Sequence, residues 1–315
     1  MEGSPIGRVA VIGTGTIGAS WAAFFLARGL TVAASDPAPR AEAALRHFVD
    51  MAWPALVRLG GAAPMPPHGR LGFHTEPEAA AAGADFVQEN GPEREDLKRE
   101  VFRRLDAALP ASVIIASSSS GLLISRLQTA CHHPERCLVA HPFNPPHLVP
   151  LVEIVGGAQT APATIERALA FYAALGKRPI HIRREVAGHV ANRLQAALWR
   201  EAVHLVAEGV ASVADIDTAI SQGPGVRWAV MGPHLLFHLA GGGQGGIAHF
   251  LDQFAGPIEG WWHDLGRPQL TDEVRRQLAA GIAAEAAGRG IDELAAERDR
   301  LLVEILALKR ERKVS

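Results

Sequence analysis

The feature that most constrains the fold of this chain is a short apolar run that ends in a glycine-rich turn. Arg8–Ile12 is followed by Gly13-x-Gly15-x-x-Gly18 and then by an alanine-rich amphipathic stretch. Gly13 allows a tight turn out of a strand, Gly15 allows the backbone to approach a pyrophosphate, and Gly18 allows the new helix to pack on the sheet. The pattern predicts a strand and a helix whose positive N-terminal end binds a dinucleotide.

The residues that follow the turn favour this interpretation over a plain strand-turn-helix unit. Thr16 and Ile17 lie in the turn and, with the three glycines, are predicted cofactor contacts. Asp36 closes a second apolar run at the spacing, about 20 residues, expected of the carboxylate that accepts the ribose hydroxyls. Because a carboxylate repels a 2′-phosphate, NAD is predicted rather than NADP. Arg40 follows nearby and leaves that alternative open.

Length, composition and charge exclude several classes of protein. A chain of 315 residues is longer than one core usually supports, so two domains are expected. A net charge of −2 argues against a nucleic-acid partner. No apolar run approaches the ~20 residues of a membrane span, and the first five residues lack a signal-peptide core, so we expect no membrane contact and a cytoplasmic location. Cys131 and Cys137 have no neighbours at metal-ligand spacing, which predicts no metal and idle thiols in a reducing compartment.

Strand patterns alternate with helix patterns over the first part of the chain. This alternation predicts a doubly wound parallel sheet with right-handed crossovers. Strands are expected at 8–12, 30–35, 84–89, 112–117, 137–140, 151–155 and 179–182, helices at 19–28, 37–60, 92–108, 121–130 and 161–175, and a loop at 61–72, which is rich in Pro and Gly.

The pattern changes near residues 184–188, after which no strand is predicted. We therefore expect an α/β chain: a Rossmann-type doubly wound parallel sheet in residues 1–186, followed by an all-α C-terminal domain in residues 187–315 for substrate binding and dimerisation. Leu, Ala, Val and Trp on the helical faces predict a homodimer. The helices are expected at 188–208, 213–222, 232–254 and 291–313, with apolar loops at 241–246 and 256–262.

A histidine and a glutamate are the strongest candidates for chemistry. His141 follows a predicted strand and so lies at the carboxyl edge of the sheet, where ligands of such folds bind. An isolated histidine there could equally cap a loop or fill a core. Glu153 lies within an apolar run, where its charge needs a partner. A carboxylate that binds the imidazole fixes its tautomer and raises its basicity, so the two residues are predicted to be a general base and its orienter.

Two further polar groups are expected near this pair. Residues 117–120 are four serines directly after a predicted strand, where they could cap the next helix or face a ligand. Asn192 begins the first helix of the second domain, with Gln195 and Trp199 on the same helix face. Its amide is suited to holding a hydroxyl or carbonyl oxygen.

Taken jointly, these motifs resemble the 3-hydroxyacyl-CoA dehydrogenase family across nearly the whole chain. The resemblance implies that Ser120 and Asn192 hold the reacting oxygen beside the His141 base, and that Asp36, Glu93 and Lys98 contact NAD. For Glu93 and Lys98 the alternative is an exposed ion pair at a helix start. The matching residues are Gly13-x-Gly15-x-x-Gly18, Glu93 with Lys98, Ser120, His141-x-x-Asn144-Pro145, Glu153, Asn192-Arg193 and Gly232-Pro233.

Within this family the chain departs from the acyl-CoA members. Pro142-Phe143 stands where they typically have two aromatic residues, and the doubled Pro145-Pro146 resembles the branch that contains lambda-crystallin (L-gulonate 3-dehydrogenase) and the L-carnitine dehydrogenases. Residues 223–233, 237–242 and 288–294 resemble the carnitine enzymes. The resemblance implies NAD-dependent oxidation of the 3-hydroxyl of a small 3-hydroxy acid, with L-carnitine the expected substrate and 3-dehydrocarnitine the product.

A trimethylammonium group offers no hydrogen-bond donor and is held by aromatic faces. Phe143, Trp199 and Trp228 are therefore candidate substrate residues, and Arg193 is a candidate partner of the carboxylate, as is Arg227. Core packing is the alternative for each aromatic residue. Three other functions stay open: a gulonate dehydrogenase with the same catalytic residues, a CoA-thioester dehydrogenase, and a non-catalytic NAD-binding protein. The loop 61–72 offers a CoA nucleotide only His68 and Arg70, and the His141–Glu153 pair argues against loss of catalysis.

Overall fold

An eight-stranded sheet organises the first unit in the computed structural model, which describes residues 6–243 and 245–312. The chain divides into two compact units, Met1–Asn192 and Arg193–Ser315. The strand order is β3-β2-β1-β4-β5-β6-β7-β8. The strands are β1 (Arg8–Ile12), β2 (Thr31–Ser35), β3 (Leu71–His74), β4 (Phe86–Glu89), β5 (Ile114–Ser117), β6 (Cys137–Pro142), β7 (Leu151–Gly156) and β8 (Arg178–Ile182).

Helices cover both faces of this sheet. Side chains alternate along β1, so Val9 and Val11 pack into one buried cluster while Ala10 and Ile12 pack into another on the opposite face. This arrangement confirms the predicted doubly wound fold. The helices of the first unit are α1 (Thr16–Ala27), α2 (Ala41–Arg58), α3 (Pro77–Ala81), α4 (Glu95–Ala108), α5 (Ile124–Leu127) and α6 (Pro162–Ala174), and α7 (Ala191–Ala207) begins at its end.

The expectation of an all-parallel sheet was wrong at one pair of strands. β7 runs antiparallel to β6, while the other neighbouring strands are parallel. Residues 143–150 join β6 to β7, and this connection is too short for the crossover that a parallel pair requires. β6 also extends to Pro142, so His141 lies within the strand rather than after it.

The predicted loop at 61–72 was wrong at its end, because β3 begins at Leu71 and pairs with β2. β3 has four residues, one of them Gly72, so it lacks the apolar alternation that would reveal a strand. The predicted helix at 121–130 is also shorter, with α5 followed by a turn of 3-10 helix at Gln128–Ala130.

The second unit is helical in the described residues, as predicted, but two of its helices were missed and one predicted loop was wrong. Residues 256–262 belong to α11 despite Pro257, and the helical spacing of Phe250, Phe254, Ile258 and Trp261 runs through them. Gln244 of the predicted loop 241–246, the first five residues and Lys313 lie outside the described residues. The helices are α8 (Val213–Gln222), α9 (Pro224–Trp228), α10 (Pro233–Ala240), α11 (Gly246–Asp264), α12 (Asp272–Ala286) and α13 (Ile291–Glu311).

Among the helices of the described residues, none combines the length with the apolar character that crossing a bilayer requires.

Candidate active site

The glycine turn joins β1 to α1 at the point where the strand order reverses, between β1 and β4. Gly13 has a φ of +84°, and a Cβ there would lie 2.9 Å from the Asn90 backbone. A Cβ on Gly18 would lie 1.8 Å from the Gly13 carbonyl oxygen. Around Gly15, at the start of α1, the space within 4 Å is open. Two glycines therefore permit close backbone packing, and the third leaves room for a pyrophosphate at the helix N-terminus, where folds of this topology bind dinucleotides.

Asp36 is held directly beside this turn. Its Oδ2 accepts hydrogen bonds from the Thr14 backbone N (2.8 Å) and Oγ1 (3.2 Å), and its Oδ1 accepts one from the Ala38 N (2.9 Å). The half-buried carboxylate borders a cavity of about 590 Å³, which Arg40 and Phe73 also line. The open turn and the oriented carboxylate together fit the pyrophosphate and ribose of NAD. The predicted contacts Thr16 and Ile17 lie in the first turn of α1, exposed and half-buried respectively.

His141 and Glu153 meet across the antiparallel pair of strands. They are register partners on β6 and β7, and His141 Nδ1 lies 2.8 Å from Glu153 Oε2. Because a carboxylate only accepts hydrogen bonds, Nδ1 carries the proton and Nε2 keeps its lone pair. Ser120 Oγ lies 3.0 Å from that Nε2. The three side chains form a hydrogen-bonded chain from a buried carboxylate, through the imidazole, to a hydroxyl.

The second oxygen of Glu153 is held by backbone amides. Val190 N and Ala191 N each donate to Oε1 at 2.9 Å. Burial raises the pKa of Glu153, but the hydrogen bonds from His141, Ala191 and Val190 outweigh it and hold that pKa below its usual value. Glu153 is therefore ionised and orients His141. Asn192, the next residue along the chain, lies half-buried in the first turn of α7.

Glu93 organises the loop that carries Ser120. Its Oε1 accepts hydrogen bonds from Ser119 Oγ (2.6 Å), Ser120 N (3.0 Å) and Gly121 N (2.7 Å). Burial raises the pKa of Glu93, but hydrogen bonds from Ser119, Gly121 and Leu122 and the charge of Lys98 outweigh burial and hold that pKa below its usual value. The carboxylate therefore fixes the backbone on both sides of Ser120.

The Lys98 ammonium points toward the interior of the unit. The side chain is 2 % exposed, and Nζ donates to both carboxylate oxygens of Glu89 and to the Gly91 carbonyl, each at 2.9 Å. Glu93 Oε2 lies 4.0 Å away. The alternative of an exposed Glu93–Lys98 pair is wrong because Lys98 is buried, whereas contact of these residues with a cofactor stays a prediction. Glu89 was missed, although its carboxylate, like that of Glu153, belongs to a strand of buried residues and therefore needs a partner.

The four predicted substrate residues lie in different parts of the chain. The Phe143 ring is 5.9 Å from the His141 ring, centroid to centroid, with an edge-on orientation. Arg193, Trp199 and Trp228 lie in the second unit, where Trp199 lines a cavity of about 720 Å³ together with Gln195. Contact of these four residues with substrate stays a prediction.

His189 was missed by the sequence-based prediction. It is buried beside His141, with ring centroids 5.0 Å apart, and no spacing in the sequence indicates this contact.

Comparison with known proteins gives matches over nearly the whole chain. Residues 8–186 match the model of the 3-hydroxyacyl-CoA dehydrogenase NAD binding domain, and residues 188–259 match that of the C-terminal domain. An L-carnitine dehydrogenase of Streptomyces griseus is 52% identical over 302 residues, covering 95% of this chain and 89% of the relative. One of Burkholderia mallei is 49% identical, covering 96% and 94%. The crystal structure of 5-formyl-3-hydroxy-2-methylpyridine 4-carboxylic acid 5-dehydrogenase, an NAD+ dependent dismutase, matches with a TM-score of 0.81 and 35% identity, covering 96% and 97%.

Proposed function

The chain belongs to the 3-hydroxyacyl-CoA dehydrogenase family, and from this premise we propose that it is an NAD-dependent dehydrogenase that oxidises L-carnitine at C3 to 3-dehydrocarnitine. The observation that carries the proposal is the Glu153–His141–Ser120 chain of hydrogen bonds in the same unit as the dinucleotide turn. Several L-carnitine dehydrogenases are about 50% identical to this chain, and this similarity favours L-carnitine over L-gulonate as the substrate.

His141 acts as the general base. Its Nε2 takes the proton of the C3 hydroxyl, and the charged Glu153 stabilises the imidazolium that forms. Ser120 Oγ and the Asn192 amide hold the reacting oxygen, which becomes a carbonyl oxygen in the product. A positioned base contributes a rate factor of roughly 10²–10⁴.

The cofactor is held by the glycine turn and Asp36. Bound there, NAD would supply the acceptor for the hydride that leaves C3. Asp36 binds the ribose hydroxyls and excludes a 2′-phosphate, so Arg40 does not make the chain NADP-dependent. Glu93 and Lys98 are assigned to the border of the cofactor site. Lys98 binds the Gly91 carbonyl, and Glu93 follows Gly91 by two residues. The turn residues assigned to the pyrophosphate are Gly13, Gly15, Thr16, Ile17 and Gly18.

The substrate is recognised at its two charged ends. Phe143, Trp199 and Trp228 face the trimethylammonium group, because a ring face attracts a cation that cannot donate a hydrogen bond, with a contribution of about 0.5–2 kcal/mol. Arg193 pairs with the carboxylate.

The assembly we propose is a cytoplasmic homodimer. In the second unit, Trp261 and Trp262 of α11 are 66% and 67% exposed, which is typical of an apolar surface that another subunit covers. Cys131 and Cys137 are free thiols whose sulfurs are 3.7 Å apart, an arrangement suited to a reducing compartment.

The test is an initial-rate screen with NAD and with NADP on four substrates: L-carnitine, L-gulonate, 3-hydroxybutyrate and 3-hydroxybutyryl-CoA. We expect NADH formation with L-carnitine. Activity on gulonate or on the thioester without activity on carnitine would overturn the substrate assignment. NAD binding without turnover of any of the four would favour the non-catalytic alternative.

A further inference from the structure

A second histidine is buried against the base. His189 is 3% exposed, and the centroid of its ring lies 5.0 Å from that of His141, with 45° between the ring planes. Its backbone φ is +50°, a left-handed conformation that side chains other than glycine seldom adopt. A residue held in that conformation beside a catalytic group merits a functional explanation.

His189 connects the two segments that hold the base. Its Nε2 donates a hydrogen bond to the Ser119 carbonyl oxygen at 3.0 Å. Ser119 directly precedes Ser120, whose Oγ contacts His141 Nε2. On its other side, His189 directly precedes Val190 and Ala191, whose amides bind Glu153. One imidazole therefore links the backbone of the Ser120 loop to the backbone that orients Glu153.

The bonding of His189 defines its protonation state. Because Nε2 donates to a carbonyl, the neutral ring has its lone pair on Nδ1, and that atom is buried without a hydrogen-bond partner among the described residues. A proton on Nδ1 would be a buried donor beside His141. Burial and then His141 hold the pKa of His189 below its usual value, against the Ser119 hydrogen bond and the more distant charges of Glu153 and Glu93. The hydrogen bond and the lowered pKa together favour the neutral ring of His189, with its one proton on Nε2.

We propose that His189 is a positioning residue for proton transfer to His141: its Nε2–H holds the Ser119 carbonyl, and through it Ser120, in register with the base. The inference rests on the proposed function, since it assigns His141 as that base. His189 acts through backbone groups rather than by touching the substrate. Loss of the donor displaces Ser120, and a displacement of about 1 Å at a reacting group costs up to about 100-fold in rate.

The test uses a matched pair of amide variants of the full chain. The Gln side chain can place a donor near the position of Nε2, whereas the Asn side chain ends near the position of Nδ1 and cannot reach Ser119. With L-carnitine, we expect His189→Asn to lower kcat by about 10- to 100-fold and to leave the KM for NAD within about twofold of the unsubstituted protein. His189→Gln restores kcat to within about threefold. His189→Phe keeps a ring but has no donor, and we expect its kcat to match that of the Asn variant.

Two further measurements separate positioning from stability. With L-carnitine deuterated at C3, the isotope effect on kcat rises in the Asn variant, since a misplaced base makes the chemical step rate-limiting. Thermal unfolding identifies a variant that does not fold, and the Phe variant then replaces the Asn variant in the comparison with Gln. Equal kcat values for the donor-bearing and donor-free variants overturn the inference. If the unsubstituted protein does not oxidise L-carnitine, the proposed substrate fails instead, and the same series is measured with the 3-hydroxy acid that it does oxidise.

Discussion

His141 and Glu153 are direct register partners in the antiparallel pair β6–β7, and their side chains meet at 2.8 Å. Directly opposed residues in such a pair project from the same face of the sheet, so the strand pairing itself brings the imidazole to the carboxylate. The strand pairing thus places Glu153 where it accepts the proton on Nδ1, and the lone pair of Nε2 points toward Ser120.

Replacement of His141, the proposed base, is expected to separate catalysis from cofactor binding. His141→Ala lowers kcat by roughly 10²–10⁴-fold, because no other group takes the hydroxyl proton. The Kd for NADH, measured by fluorescence titration, stays within about twofold because the ring is not part of the dinucleotide cradle. His181→Ala, at an exposed position in β8, is the matched control and keeps full activity. Turnover by the His141 variant within tenfold of the unsubstituted protein would contradict the assignment.

The stability of the protein is expected to depend on the ionisation of Glu153. Its pKa is lowered in the folded protein because its hydrogen bonds outweigh burial. The unfolded chain therefore binds the proton more readily. The resulting stabilisation is present above the unfolded carboxyl pKa of about 4.3 and is lost as the pH falls through the lower folded pKa.

Urea unfolding of the unsubstituted protein and of Glu153→Gln between pH 3 and pH 7 measures this contribution. We expect the free energy of unfolding of Glu153→Gln to be lower by about 1–3 kcal/mol at pH 7, because its NH₂ group must face a donor from either His141 or the backbone. The difference between the two proteins shrinks on acidification. Glu259→Gln, at an exposed position, is the control. A difference that is constant over this pH range would show that the charge of Glu153 does not contribute.

Asp36 is expected to set the preference for NAD. Asp36→Asn keeps the size of the side chain but removes the charge that binds the ribose hydroxyls and repels a 2′-phosphate. We expect kcat/KM for NAD to fall by about 10- to 100-fold, as for loss of a hydrogen bond to a charged group, and kcat/KM for NADP to rise. Initial rates with both cofactors measure the ratio. Asp50→Asn, which removes an exposed partner of His68, serves as the control. An unchanged ratio would place the ribose elsewhere.

Phe143 is expected to recognise the positive charge of the substrate. Phe143→Leu keeps an apolar side chain but removes the ring face, so the KM for L-carnitine rises by about 2- to 30-fold. The KM for NAD stays unchanged. The control substrate is 3-hydroxy-5,5-dimethylhexanoate, in which a carbon replaces the quaternary nitrogen and the charge is absent. Equal losses with both substrates would mean that Phe143 provides shape rather than charge recognition. Trp199→Leu and Trp228→Leu are compared in the same way.

The turn that we propose to hold the dinucleotide was predictable as a structure because its signals are local. Tight turns, a helix start and a strand-end carboxylate each depend on residues that lie close together in sequence, so Gly13, Gly15, Gly18 and Asp36 could be assigned from spacing. The alternation of strands and helices predicted the doubly wound sheet for the same reason. Glu153 could be identified because a charge inside an apolar run requires a partner.

Long-range pairing determined the rest of the site. A local pattern does not encode whether β7 runs parallel or antiparallel to β6, yet that direction aligns Glu153 with His141. The Lys98 ammonium is buried on Glu89, and His189 reaches a carbonyl 70 residues away in sequence. Amino-acid order thus specified the turn proposed to hold the cofactor, whose contacts are short-range. Folding assembled the hydrogen bonds among Glu153, His141 and Ser120 and the link from His189, because they join segments that only packing brings within 3 Å of one another.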